Sequence, residues 1–208
     1  MDCDHRAAVR TIYESILERA VALIDANLAL SNNDTITLPW GFQQNRPALR
    51  PLAHLAFGVL EDHNHAAGSA AFITLAEKLL SLNRNANHGI RERLSRAYLL
   101  TQRSEATVAL TDRFCDDFCG VTLNRVLALL TVGREADTRD ELAAKSKRVL
   151  AGIKMLLAKS PRAPKSDNRV GIRVGGTEQA WLYRTSSLSL WQRDGALDWL
   201  KRNVEAVA

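Results

Sequence analysis

The sequence predicts a mainly α-helical protein, a bundle of about six to seven helices with one small β-hairpin near the C-terminus. Three observations support this prediction. Apolar residues recur at three- and four-residue spacing through most of the 208 residues. Clusters of turn-forming residues separate these stretches. Convincing alternation of apolar and charged or glycine residues is confined to one short stretch, residues 169–174.

The first predicted helix has the clearest pattern. Val9, Ile12, Ile16 and Leu23 share one face, which predicts an amphipathic helix that ends near residues 27–33. A loop over residues 35–50 follows, and its first four residues favour a brief extended segment. The helix therefore precedes a break in regular structure.

Four more helices are predicted before residue 132. The second starts at Pro51, because proline lacks the amide hydrogen that is unpaired in a first helical turn. The third starts near Ser69 and the fourth near Ile90. The fifth starts at Ser104, whose hydroxyl is a typical N-terminal cap, and Gly120 is a candidate break within it.

The last third of the chain changes in character. Thr138 and Glu141 match the capping-box pattern and predict the start of a sixth helix, which Pro161 ends. The hairpin follows, with strands at 169–174 and 180–183, and a final helix spans 187–206. We therefore expect a helical core over residues 1–131. Residues 132–208 would add a basic helix, the hairpin and a C-terminal helix, packed on that core or forming a small second domain.

Positive charge is concentrated in this last third. Residues 1–131 carry 13 Lys and Arg against 14 Asp and Glu, whereas residues 132–208 carry 15 against 9. Between residues 143 and 173, nine basic residues face one acid, Asp167. Such a segment is typical of polyanion binding, because neutralised phosphates release counterions. The alternative is a solvated helix face and linker.

The predicted succession of helix, turn, basic helix and hairpin is also the one in which a winged-helix module presents its recognition helix and wing to DNA. Basic residues would contact phosphates or base edges, and Trp181 and Tyr183 would be either stacking surfaces or core. The predicted nucleic-acid-binding residues are Lys145, Lys147, Arg148, Lys154, Lys159, Arg162, Lys165, Arg169, Arg173, Trp181, Tyr183 and Arg184.

The leading functional hypothesis is a non-catalytic protein that binds nucleic acid, DNA or RNA, alone or as a subunit of a nucleoprotein complex. The alternative is a helical adaptor for another protein, with Trp191 and Trp199 as anchors on the final helix. A metal-dependent enzyme is the third hypothesis. We expect no cofactor and no catalytic residue, because the serines and cysteines lie in no nucleophile motif.

A candidate metal site is the pair Cys115 and Cys119, which would share one face of a predicted helix. Structural zinc usually uses cysteine pairs two residues apart, and Phe114 and Phe118 beside the thiols indicate small core residues instead. The histidines upstream, His63 among them, are typical of an exposed helix end. No metal ligand is therefore predicted.

Composition points to a cytoplasmic protein that does not interact with membranes. No run of about 18 apolar residues occurs, and the first ten residues lack the apolar stretch of a secretory signal. Three cysteines are an odd number for a disulfide framework, so reduced thiols are expected.

Overall fold

A computed structural model describes residues 3–30, 37–62, 66–85, 89–114, 119–144, 147–165 and 175–205. These ranges contain ten α-helices, a short 3-10 helix at Gln43–Asn45 and no β-strand, which confirms the mainly helical prediction. None of the described helices has both the length and the apolar character needed to cross a membrane. The helices are α1 (Cys3–Leu30), α2 (Arg46–Asp62), α3 (Ala66–Leu82), α4 (Ile90–Leu100), α5 (Ser104–Asp112), α6 (Cys119–Thr131), α7 (Glu135–Ala143), α8 (Lys147–Leu157), α9 (Thr177–Trp191) and α10 (Ala196–Glu205).

The chain divides into two compact units, residues 1–90 and residues 91–208. The first contains α1, α2 and α3, and the second contains α5 to α10 with nearly all of α4. The boundary that we predicted, between residues 131 and 132, falls inside the second unit.

In the first unit, α2 packs against both α1 and α3. Its core includes Leu49 and Leu52 from α2 and Phe72 and Leu79 from α3, each fully buried. The helix begins at residue 46, earlier than predicted, so that Pro51 lies inside it. The first turn instead contains the proline at position 47, where a missing amide hydrogen costs nothing.

In the second unit, α6 is the central helix and packs against α5, α7, α8, α9 and α10. Leu123, Val126 and Leu129 of α6 are fully buried, and they join Ile153 and Trp191 in one apolar core. A helix that is apolar on several sides is stable only when neighbours cover those sides. This explains why α6 lies in the middle.

The predicted hairpin is wrong in its second half. Residues 177–183 belong to α9, which buries Ala180, Tyr183, Ser187 and Leu190. These four follow the three- and four-residue spacing of a helix face, and burial of that face outweighs the strand propensity of the local residues. The first predicted strand, residues 169–174, lies outside the described residues. The hairpin and the winged-helix arrangement are therefore not supported.

Several predicted helix limits are also wrong. The predicted fifth and sixth helices are each two helices, α5 with α6 and α7 with α8, and the predicted final helix divides into α9 and α10. Thr138 lies inside α7, where its hydroxyl donates to the Arg134 carbonyl oxygen at 2.8 Å and does not cap the helix. The break before α10 contains Asp194 and Gly195, both with positive φ, at 49° and 71°.

Candidate functional site

Helix α8 carries part of the predicted basic site. Val149, Ile153 and Leu156 are buried, because they lie within 60° of one another around the helix and face α6 and α9. Gly152 lies on the same buried side, where an added Cβ would be 2.5 Å from the Cys119 sulfur. This face fixes α8 on the core, and the opposite face is left for solvent.

Lys147 and Lys154 lie on that solvent face. They are seven residues apart, so they point to the same side of α8 and are separated by about 10 Å along its axis. Both side chains are exposed, and neither forms an ion pair with any residue that the structure describes. Two uncompensated positive charges therefore face solvent together.

The non-helical segment after α8 continues this charge. Lys159, Arg162 and Lys165 are all exposed, again with no ion pair inside the described ranges. Other predicted site residues are not placed: Lys145, Arg169, Arg173 and the side chain of Arg148 lie outside the described residues. The structure thus describes five basic side chains of the basic segment, which we define as residues 145–173.

Three of the four acids of the preceding helix, α7, are paired with other arginines, and the fourth, Asp140, is exposed. Asp137 of α7 accepts a hydrogen bond at 2.5 Å from Arg134, the residue before the helix. Glu135 accepts one at 2.7 Å from Arg139, also in α7. Glu141 accepts from Arg125 of α6 at 2.5 Å. These three carboxylates are therefore engaged, which leaves the basic segment without their compensating charge.

Arg184 has a structural position. Its Nη1 donates to the carbonyl oxygens of Met155 and Leu156, at 2.7 and 2.5 Å, and the side chain is half-buried. Carbonyls in the last turn of a helix have no partner within the helix, and a cation there also interacts favourably with the helix dipole. Arg184 therefore caps α8 from α9 and presents little of its charge to solvent.

The two predicted aromatic residues differ in exposure. Trp181 is half-buried on α9, whereas Tyr183 is only 1% exposed. Tyr183 is therefore a core residue and not a stacking surface.

A chain of buried hydrogen bonds runs through Tyr183. Trp191 Nε1 donates to the Tyr183 hydroxyl at 3.0 Å, and that hydroxyl donates to Asn124 Oδ1 at 2.9 Å. Asn124 Nδ2 donates to Ser95 Oγ at 2.8 Å, and Ser95 donates to the Glu92 carbonyl oxygen at 2.9 Å. The chain links α9, α6 and α4, and burial raises the pKa of Tyr183. This chain of hydrogen bonds has no signature in the sequence, since isolated polar residues in helices leave no local pattern.

Cys119, beside this chain, is a buried thiol. Burial raises its pKa from 9.0 to about 12, and the nearby Glu92 adds to the shift, while a backbone hydrogen bond at Gly152 opposes it. The other cysteine of the candidate metal site, Cys115, lies outside the described residues, as does His63. Among the described residues, no three His, Cys, Asp or Glu side chains gather where they would hold a metal ion.

The raised pKa values predict loss of stability in alkali. In the folded protein Cys119 and Tyr183 keep their protons, whereas in the unfolded chain they ionise near 9.0 and 10.0. Since only the unfolded state releases these protons, the contribution of the two groups to the free energy of unfolding is intact below pH 9 and falls progressively up to pH 12. Urea unfolding from about pH 7 to about pH 11 measures this fall.

The variant Cys119→Ala should have a shallower fall, because it removes one of the two groups. An equal slope in wild type and variant would show that the thiol does not contribute.

The chain matches no protein-family model, and it has no significant match among curated proteins or solved structures.

Proposed function

We propose that the chain is a non-catalytic nucleic-acid-binding protein whose basic segment contacts backbone phosphates. The observation that supports this function is the state of the five described basic side chains: all are exposed and none is paired with an acid of the described residues. They are Lys147, Lys154, Lys159, Arg162 and Lys165.

Free positive charges favour phosphates for a simple physical reason. A lysine that is already paired with a carboxylate must lose that partner before it binds a phosphate. A solvated lysine can neutralise a phosphate directly, which releases the counterions condensed on the nucleic acid. The sequence places four more basic residues in the same segment, against Asp167 alone. The contact surface proposed here excludes Tyr183 and Arg184, because one is buried and the other caps α8.

Charge reversal on α8 tests the proposal. In Lys147→Glu/Lys154→Glu we expect affinity for a fluorescent 20-nucleotide DNA or RNA to fall at least about tenfold at low salt. The slope of log affinity against log salt should also become shallower by about 2, near 0.9 for each lost phosphate contact on duplex DNA. Fluorescence anisotropy over a salt series measures both quantities.

The matched control is Arg84→Glu/Lys201→Glu. It changes net charge by the same amount at two exposed positions outside the basic segment, and it should bind nearly as wild type. If the control weakens binding equally, net charge and not the basic segment is responsible. If the wild type does not bind at low salt, or binds independently of salt, the proposal is wrong.

A helical adaptor is the second candidate, and a different surface favours it. Trp191 and Trp199 are buried, with 0% and 8% exposure, and so offer no anchors. On α1, however, Ile12, Ile16 and Leu23 are each about 60% exposed and lie within 40° of one another around the helix. A protein partner bound there would survive the charge reversal on α8, which separates the two candidates.

A further inference from the structure

A cleft of about 660 Å³ lies within the second unit, away from the basic segment. It is bordered by the starts of three helices, α5, α7 and α10, and by the ends of three others, α4, α6 and α9. A second cavity of about 470 Å³ shares three of its lining residues, Gln102, Ser104 and Thr131. The apolar lining of the larger cleft includes Leu127, Leu190 and Trp199, all largely buried. The cleft therefore combines an apolar floor with polar helix ends.

Ser104 is the unusual residue of this cleft. It is 7% exposed, and its hydroxyl forms no hydrogen bond with any described residue. A buried hydroxyl without a partner costs free energy, so such groups are rare unless a ligand or water satisfies them. Because Ser104 lines the cleft, a molecule bound there would be within its reach.

The start of α5 offers more unpaired donors at the same place. Ser104 is the first residue of this nine-residue helix, and the capping residue before it, Arg103, makes no side-chain hydrogen bond to the first turn. The first amide groups of a helix have no partner within the helix and lie at the positive end of its dipole. Amides and hydroxyl together can bind an anion where the cleft meets the second cavity, although Glu105 in the same first turn already balances part of the helix dipole.

The charged residues at the cleft include both signs. Arg193 and Arg202 line it, as do Glu135, Asp194 and Asp198, and all five are exposed. Glu135 is held by Arg139, and Asp198 lies in the first turn of α10, where it balances that helix's dipole. Arg193 and Arg202 form no ion pair with any described residue and are available to a ligand's negative charge, whereas the exposed Asp194 opposes it.

The backbone at the cleft is also unusual. Gln102 and Asp194 are the two residues other than glycine with positive φ in the described ranges, at 59° and 49°, and both line it. Strained backbone of this kind is commonly kept at ligand-binding sites.

We propose that this cleft binds a small organic phosphate. Its phosphate group would accept hydrogen bonds from the first amides of α5 and from the Ser104 hydroxyl, and its apolar body would lie on Leu127, Leu190 and Trp199. Arg193 and Arg202 would attract the ligand and screen its charge. The inference is independent of nucleic-acid binding, because it involves no residue of the basic segment.

Phenyl phosphate is the probe, with inorganic phosphate and phenol as its two halves. We expect phenyl phosphate to raise the Tm of the wild-type protein and to give a calorimetric binding curve, since a ligand that binds only the folded state stabilises it. Ser104→Ala should weaken binding about tenfold, through loss of one hydrogen bond to a charged acceptor. Ser104→Asp should abolish binding, because its carboxylate would occupy the anion position.

Ser189→Ala, at an exposed serine of α9, is the matched control and should bind as wild type. Lys147→Glu/Lys154→Glu should also bind phenyl phosphate as wild type, which separates failure of this proposal from failure of nucleic-acid binding. The proposal is overturned if phenyl phosphate gives no Tm shift and no heat up to about 10 mM. It is equally overturned if Ser104→Ala binds as tightly as wild type, or if either half of the probe binds as well as the whole.

Discussion

Replacing Tyr183 with phenylalanine is expected to lower the free energy of unfolding by about 2 to 5 kcal/mol, with the protein still folded. The substitution leaves the ring in the core but removes a hydroxyl that forms two buried hydrogen bonds, from Trp191 at 3.0 Å and to Asn124 at 2.9 Å. Each buried polar atom left without a partner costs about 1 to 3 kcal/mol. Urea unfolding followed by circular dichroism measures the change.

Thr185→Val is the matched control for this experiment. It removes a hydroxyl from the same helix, but this hydroxyl is exposed and bonds only to the Leu182 carbonyl oxygen within α9. Its effect should stay within about 0.5 kcal/mol. If Tyr183→Phe is equally mild, then Asn124 and Trp191 find other partners, and the buried chain does not stabilise the fold as described.

Gly152→Ala is expected to destabilise the second unit by about 1 to 3 kcal/mol, although alanine favours helices. An added Cβ would be 2.5 Å from the Cys119 sulfur and 2.7 Å from Leu123 Cδ1, distances at which α8 or its neighbours must move. Both neighbouring side chains are buried in the core, so neither can turn away into solvent. Chemical unfolding measures the loss.

Two further variants sharpen this prediction. Gly58→Ala, in α2, would meet nothing within 4 Å, and it should stabilise by about 0.5 to 1 kcal/mol through helix propensity. Cys119→Ala removes the closest neighbour of the new methyl group, so the double variant with Gly152→Ala should lose less than the sum of the single losses. Strict additivity of the two changes would contradict the close approach of α6 and α8.

Most helices could be predicted from the sequence, because a periodic apolar face is a local property. The pattern from Val9 to Leu23 predicted α1, and the run after Ser69 predicted α3. Helix ends were harder to predict. The capping-box pattern at Thr138 was misleading, because α7 starts three residues earlier and Glu141 pairs with Arg125 of α6. That partner is distant in sequence, and no local motif reveals it.

The candidate site was predictable in part. Charge is read directly from the sequence, so the basic segment could be identified, and Lys147 and Lys154 are indeed exposed on α8. The role of Arg184 in capping α8 could not be predicted, since it depends on how α9 packs beside that helix. The unpaired hydroxyl of Ser104 was equally hidden, because the same residue type at the same position usually caps a helix.

The sequence by itself determined that the chain is helical and that its excess positive charge lies after residue 131, since periodicity and charge are properties of neighbouring residues. Only the tertiary structure decided that residues 177–183 form a helix and that Tyr183 joins Asn124 in the core. The physical reason is that burial depends on neighbours distant in the chain: α9 is a helix because its face at Ala180, Tyr183 and Ser187 packs against α6 and α8.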